Sequence, residues 1–260
     1  KESSAASDVY KRQFLDFLSL LSIIKIIKIV SPQVVHTFDT KPGIIGRFAA
    51  KICGVNSIIG TQPGLGLVFS KQHPFFSGVG KSIYLVIYKF ICYISSVTVF
   101  QNKDDIELLR QKKIVKEKKS HLIKSSGIDT NFFRFKRGKI KKSILHNRKQ
   151  VNIILISRLL KSKGIIEYCK IAQSIKKKYP QIIFNLVGDY QHNSADSIDA
   201  NTIESYSKYI NFLGKRSDIK SLLKMSDIMI FPSKYPEGVP RALLEGASMG
   251  LPLIAFKNPG

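Results

Sequence analysis

The chain has 260 residues, with 42 Lys and Arg against 18 Asp and Glu, for a formal charge of +24. That length can bury a large core and fits two domains, and that charge favours anionic partners. No zinc-ligand spacing, P-loop, Ser-His-Asp order or internal repeat is present, and the three cysteines are too scattered for a disulfide framework.

Residues 14–30 open as an apolar run interrupted by Asp16, Lys25 and Lys28, which suits an amphipathic helix. It falls short of the uninterrupted ~20 residues that a membrane span needs. Residues 32–38 read as a short strand with His36 near its C-terminal end. Lys41, Pro42, Gly43 and Gly46-Arg47 follow, with a helix expected over 44–52. A strand over 57–60 leads into Thr61-Gln62-Pro63-Gly64-Leu65-Gly66, a loop rich in turn residues. Residues 81–95 form an apolar helical run that contains Lys89, and Val97–Phe100 a strand. Asp104-Asp105 then stands at a helix start, where acids favour the dipole, so capping is a better reading than a metal site. Cys53, Cys92 and Cys169 lie in helical runs and read as buried thiols of a reducing compartment.

Two basic clusters follow, at 110–119 and 136–149. Anionic lipid attracts such cations at about 1 kcal/mol each near the surface. A bland Lys-rich composition accounts for at least part of the same charge.

The second half alternates strand and helix patterns, which implies a parallel, doubly wound sheet. Residues 151–157 are a continuous apolar run, as for a strand buried on both faces. Arg158 and Lys163-Gly164 come directly after it, then a helix over 165–179. Cations beyond the C-terminal end of a parallel strand sit where such sheets bind ligands. Arg offers phosphate a planar fork and Lys a point charge. Lys163 taken singly reads as a solvated lysine. Ile182–Val187 is a strand ending in Gly188-Asp189, 210–214 a shorter one, and 218–225 a helix with Ser217 or Asp218 as cap.

The most informative stretch is 230–255. Strand Ile228–Phe231 leads to a loop with Glu237, Gly238, Val239 and Pro240, then a helix carrying Glu245 and a strand over 253–256. Pro240 suits the first helical turn, and Gly238 permits close approach of a ligand. Free N–H groups at a helix start make an anion site suited to phosphate. A carboxylate beside that site, with another about two turns on, suits sugar or ribose hydroxyls.

Glu237-x7-Glu245 and Arg158-x4-Lys163 together resemble the signature of retaining glycosyltransferases of family 4. The stretch from His36 to Val55 is similar to the N-terminal domain of bacterial members that build surface polysaccharides on undecaprenyl diphosphate. The resemblance covers about residues 15–260. It implies an α/β protein with two Rossmann-like domains facing across a cleft, the GT-B fold. Residues 1–133 would form the acceptor-side domain, 134–150 a basic linker, and 151–260 the nucleotide-sugar domain. Gly127, Asp129 and Phe133 resemble the family's junction, with Phe133 packing at the hinge. Measured against the family, both domains are incomplete and the chain reads as truncated at both ends.

The implied function is transfer of a hexose or N-acetylhexosamine from a nucleoside-diphosphate sugar, UDP-linked, to a lipid-linked saccharide. No cofactor or metal is implied. The catalytic residues would be Glu237, Arg158 and Lys163. Gly188, Gly238, Val239, Pro240 and Glu245 would bind donor. His36, Lys41, Gly64 and Gly66 would lie on the acceptor side. Many members carry a His in the loop where Gln62-Pro63 stands here. The implied location is the cytoplasmic face of the plasma membrane, bound peripherally through anionic lipid. The rival readings are an inactive fragment binding anionic membrane or nucleotide, and an epimerase of the same fold. The charge also permits nucleic-acid binding, but no recognised motif supports it.

Overall fold

The computed structural model describes residues 2–65, 79–135, 150–192, 194–235 and 237–258, with side chains from residue 15 onward, that of residue 79 aside. The chain divides into two compact units. One holds Lys1–Ser126 and Pro236–Val239; the other holds Gly127–Tyr235 and Pro240–Asn258.

The first unit carries a parallel sheet of β1 (Val34–Phe38), β2 (Ser57–Gln62), β3 (Val97–Phe100) and β4 (Ser120–Leu122), in that order. Its helices are α1 (Glu2–Val30), α2 (Lys41–Ile52), α3 (Val79–Ile94) and α4 (Lys103–Gln111). Right-handed crossovers between successive neighbours put the connecting helices on one face of such a sheet. Helix α2 lies close on β1 because one of its faces is Gly43, Gly46, Ala49 and Ala50, all buried. A Cβ at Gly46 would come within 2.8 Å of the Thr37 methyl.

Two starts differ from the sequence expectation. Helix α1 extends back to Glu2 rather than beginning near residue 14. Helix α2 begins at Lys41, so Lys41, Pro42 and Gly43 form its first turn, with Pro in the tolerated N-terminal position. At α4 the capping reading holds. Asn102 is the N-cap and accepts from Asp105 N–H at 2.7 Å.

The second unit has a five-stranded parallel sheet in the order β7-β6-β5-β8-β9. The strands are β5 (Val151–Ile156), β6 (Ile182–Val187), β7 (Asn211–Phe212), β8 (Ile228–Phe231) and β9 (Leu253–Ala255). Helices α5 (Ile165–Lys178), α6 (Ala200–Glu204), α7 (Ile219–Met225) and α8 (Arg241–Ser248) connect them. The core joins Leu155, Phe184 and Leu186 of the sheet to Ile165 and Tyr168 of α5. Phe133, expected to pack at a hinge, is buried in this core. Asp218 is the N-cap of α7 but makes no capping bond; its carboxylate accepts from Arg216 Nε and Nη2, both at 2.8 Å.

The strand order carries the functional consequence. From β5 the chain winds outward through β6 to β7, then returns to place β8 on the other side of β5. A parallel sheet binds ligands beyond the carboxyl ends of its strands where the winding reverses. That point lies beyond β5 and β8.

Candidate active site

Two loops meet at the reversal: residues 157–164 after β5 and 232–235 after β8. Gly164 makes their approach possible. Its φ is +74°, and a Cβ there would lie 1.9 Å from the Pro232 carbonyl oxygen. Lys234 N–H donates to Ser162 O at 2.7 Å, and the Lys234 ammonium pairs with Glu167 of α5 at 2.5 Å. From the other side Asp196 accepts from Ser162 N–H and Ser162 Oγ, while Asp196 O accepts from Lys161 N–H at 2.8 Å.

This bracing presents the two predicted cations differently. Arg158 is exposed just past the end of β5. Lys163 is 4% exposed, with its ammonium 4.5 Å from the centroid of the Tyr235 ring. The solvated-lysine reading is therefore wrong for Lys163. A buried ammonium on an aromatic face is a cation–π pair, strengthened by its removal from water. Gly188 directly follows β6 at the same edge. A Cβ there would meet the Ser157 carbonyl at 1.9 Å, so the position tolerates no side chain.

Helix α8 begins at Arg241, with Pro240 as its N-cap at φ −64°, ψ 119°. The expectation of Pro240 inside the first turn is corrected by one position, and Glu245 falls in the second turn. Leu243 and Leu244 donate to Pro240 O, while the N–H groups of Arg241 and Ala242 precede the intrahelical ladder. Such a helix start suits an anion. Burial raises the Glu245 pKa, opposed by Arg241, whose guanidinium lies 3.7 Å from its carboxylate. Glu237, Gly238 and Val239 group with the first unit, and Gly238 is buried.

Glu245 supplies a sign test. Its folded pKa is raised, so ionisation opposes folding above that pKa and the cost vanishes below the ordinary carboxylate value. Glu245→Gln is expected to melt about 1–2 °C higher at pH 7, with the difference lost near pH 4. Melting curves at the two pH values check it. For Glu167 the balance is opposite: burial raises its pKa, but the bond and charge of Lys234 outweigh this and lower it.

The acceptor-side candidates lie in the first unit. His36 Nε2 is 2.8 Å from Thr61 Oγ1, and its ring packs on Phe38 with centroids 4.3 Å apart. Lys41 pairs with Asp16 at 2.7 Å. Gly64 O accepts from the Gln62 side-chain amide, which also donates to Thr40 Oγ1 at 2.9 Å. Leu65 N–H donates to Asp105 Oδ2 at 3.1 Å. The loop is thus pinned through Leu65. Gly66 and the 136–149 basic cluster lie outside the described residues. Among the described residues no group of three or more His, Cys, Asp or Glu is placed to hold a metal ion. A hollow of about 1100 Å³ is lined by Asn152, Ile154, Asn185 and α7 residues, and contains none of the predicted site residues.

Sequence reasoning missed the supports of this site. Asp196, Ser162 and Glu167 carry no local signature, because their role exists only where distant loops converge. It also missed Arg47, which is 1% exposed beneath β2.

Fold and site together define an α/β protein of two parallel-sheet units, the second with an anion-binding type of loop arrangement at its reversal point. The chain belongs to the glycosyltransferases. The model "Glycosyl transferases group 1" matches residues 136–260, and "Glycosyl transferase 4-like" matches residues 6–103. A relative from Escherichia coli is 29% identical over 232 residues, covering 87% of this chain and 58% of that protein. It is named UDP-Gal:alpha-D-GlcNAc-diphosphoundecaprenol alpha-1,3-galactosyltransferase. A Campylobacter jejuni relative is 30% identical over 226 residues, covering 85% and 57%. Its name is N,N'-diacetylbacillosaminyl-diphospho-undecaprenol alpha-1,3-N-acetylgalactosaminyltransferase. The chain therefore spans less than two thirds of the length of these relatives. Among solved structures, HepE of Anabaena in complex with UDP matches with a TM-score of 0.71 at 20% identity, covering 93% of this chain and 64% of that one. That likeness shows the GT-B fold.

Proposed function

We propose that this protein transfers a hexose or N-acetylhexosamine, with retention, from a UDP-sugar to a saccharide carried on a lipid diphosphate. The observation that carries the proposal is the reversal point of the second sheet. There Arg158, Lys163 and, further along the chain, the start of α8 offer positive charge where a parallel sheet binds its ligand. Arg158 and Lys163 stabilise the charge that develops on the leaving diphosphate, an electrostatic role. N–H groups at the start of α8 assist. Glu237 orients the donor sugar through a hydroxyl, and Glu245 accepts from the ribose. The acceptor hydroxyl attacks from the face the diphosphate leaves, and a phosphate oxygen takes its proton. The relatives' printed names support the acceptor class.

The test is a thermal titration with UDP, UDP-N-acetylhexosamines and GDP-mannose, beside Arg158→Ala. A ligand at a hundred times its Kd adds about 2.7 kcal/mol of stability, or roughly 5–10 °C. One nucleotide raising the melting temperature, and losing that effect in the variant, supports the site and names the base. Cooperative melting with no shift from any of them would reject it.

A further inference from the structure

Lys161–Lys163 form a single 3-10 turn that carries Lys163, and this turn does not cap itself. Its N-cap is Leu160, whose side chain has no acceptor to offer. The first N–H groups of the turn therefore need acceptors from elsewhere. Both come from Asp196, 34 residues beyond Ser162. The Asp196 backbone carbonyl accepts from Lys161 N–H at 2.8 Å. Its carboxylate accepts from Ser162 N–H at 3.2 Å and from Ser162 Oγ. The next two amides are used locally: Lys163 N–H donates to Leu160 O at 3.1 Å and Gly164 N–H to Lys161 O at 3.0 Å. Asp196 thus does for this turn, from a distant segment, what the preceding residue ordinarily does.

Asp196 is itself held in place. Its N–H donates to Ser194 Oγ at 3.2 Å. Ile198 N–H donates to Leu159 O at 3.2 Å, and Leu160 forms an antiparallel bridge with Ser197. Leu159 and Leu160 are both buried, which anchors the strap to the core. With Lys234 N–H on its carbonyl, Ser162 is fixed through its amide, its hydroxyl and its carbonyl, and Lys163 is the next residue. A free carboxylate at this place would repel a phosphate; this one is engaged by Ser162. The same bonds occupy the amides of the turn, so a phosphate in this loop is met by the side chains of Arg158 and Lys163. A lysine ammonium is a point charge on a flexible stem. Its aim is inherited from the turn beneath it and from the Tyr235 ring.

We propose that Asp196 is a positioning residue for transfer: it caps the turn at 161–163 and, through Ser162, fixes where the Lys163 ammonium stands. Its effect on transfer rests on the diphosphate role proposed above, whereas the cap does not, so the test reads the two separately. The first readout is acetylation of Lys163 in the full chain by acetic anhydride, followed by mass spectrometry without donor or acceptor. Lys163 is buried, so the wild type is expected to label slowly. Asp196→Ala is expected to label Lys163 roughly fivefold faster, the factor by which loss of a cap favours the opened turn. Cys169, fully buried in the core of the same unit, is expected to stay unreactive to iodoacetamide. Asp196→Asn keeps an acceptor of the same shape and is expected to label as wild type. The second readout is kcat with a UDP-sugar. It is expected to fall about tenfold or more in Asp196→Ala, to recover in Asp196→Asn, and to fall no further when Asp196→Ala is added to Lys163→Met. Unchanged Lys163 labelling in Asp196→Ala would overturn the proposal. So would Lys163 and Cys169 becoming reactive together, which would make Asp196 a general support of the fold. An undiminished loss of kcat in the Lys163→Met background would overturn it as well. Faster labelling with normal transfer in every variant would uphold the cap and reject the diphosphate reading.

Discussion

Arg158→Ala is expected to lower sugar transfer roughly a hundredfold or more while leaving the melting temperature nearly unchanged. The two halves of this expectation have separate causes. A preorganised cation facing charge that develops only in the transition state is worth about 2.7–4 kcal/mol when removed. The side chain is exposed beyond the end of β5, and exposed substitutions usually change stability by no more than about 0.5 kcal/mol. Lys163→Ala differs in kind. Its ammonium is buried on Tyr235, so that variant should lose both activity and stability. Steady-state rates with a UDP-sugar, beside melting curves for both variants, separate these outcomes. An Arg158→Ala enzyme with wild-type rates would remove the leaving-group role from the loop after β5. Glu237→Ala is expected to lose at least as much, through orientation of the donor.

Gly60→Ala is expected to destabilise the first unit by roughly 3 kcal/mol, with its melting transition lowered by about 10 °C. Gly60 sits in mid-sheet, paired with Thr37 and Thr98. A Cβ there would stand 2.6 Å from the Arg47 guanidinium. That guanidinium has little room to retreat. Its Nε donates to Gly43 O at 2.9 Å, its Nη1 reaches Ser95 and Thr98 hydroxyls at 3.5 Å, and it lies 5.5 Å from the Tyr88 ring centroid. Tyr88 in turn donates to Gln62 Oε1 at 3.2 Å, so displacement of Arg47 should also loosen the Gln62–Leu65 loop. Calorimetry on Gly60→Ala, with Gly54→Ala as a control, checks this. The control site has a positive φ, which Gly60 does not, and nothing within 4 Å of its Cβ, so it should report backbone strain without a steric clash, of order 1 kcal/mol. Equal losses in the two would show that Arg47 yields freely.

The strands and helices of both units were largely legible because their signals are local. The run at 151–157 suits a strand buried on both faces, and Gly and Pro mark the ends of many elements. Where expectation and structure differ, neighbours decided. Helix α2 starts at Lys41 because its first turn fits over β1, and Pro240 becomes a cap because the chain turns into α8 one residue later. The sequence placed His36 in its strand and Lys41 ahead of α2, although His36 proves to be mid-strand and Lys41 the first residue of the helix. Their partners Thr61 and Asp16 could not be placed from sequence.

By itself the sequence determined the element types, the alternation that requires parallel sheets, and the presence of a cation pair and an acid pair in the second half. These follow from side-chain period, residue propensity and spacing, which need no distant contact. Only the tertiary structure decided that β8 lies beside β5. That order brings residues 157–164 and 232–235 together although some 75 positions separate their strands. It buries Lys163, gives Gly164 and Gly188 their steric roles, and recruits Asp196, Glu167 and Lys234. It also decided which face of α3 enters the core. Both faces are apolar, so periodicity cannot choose between them, and the face left outside became visible only when Tyr88, Ile91 and Cys92 had taken their places within.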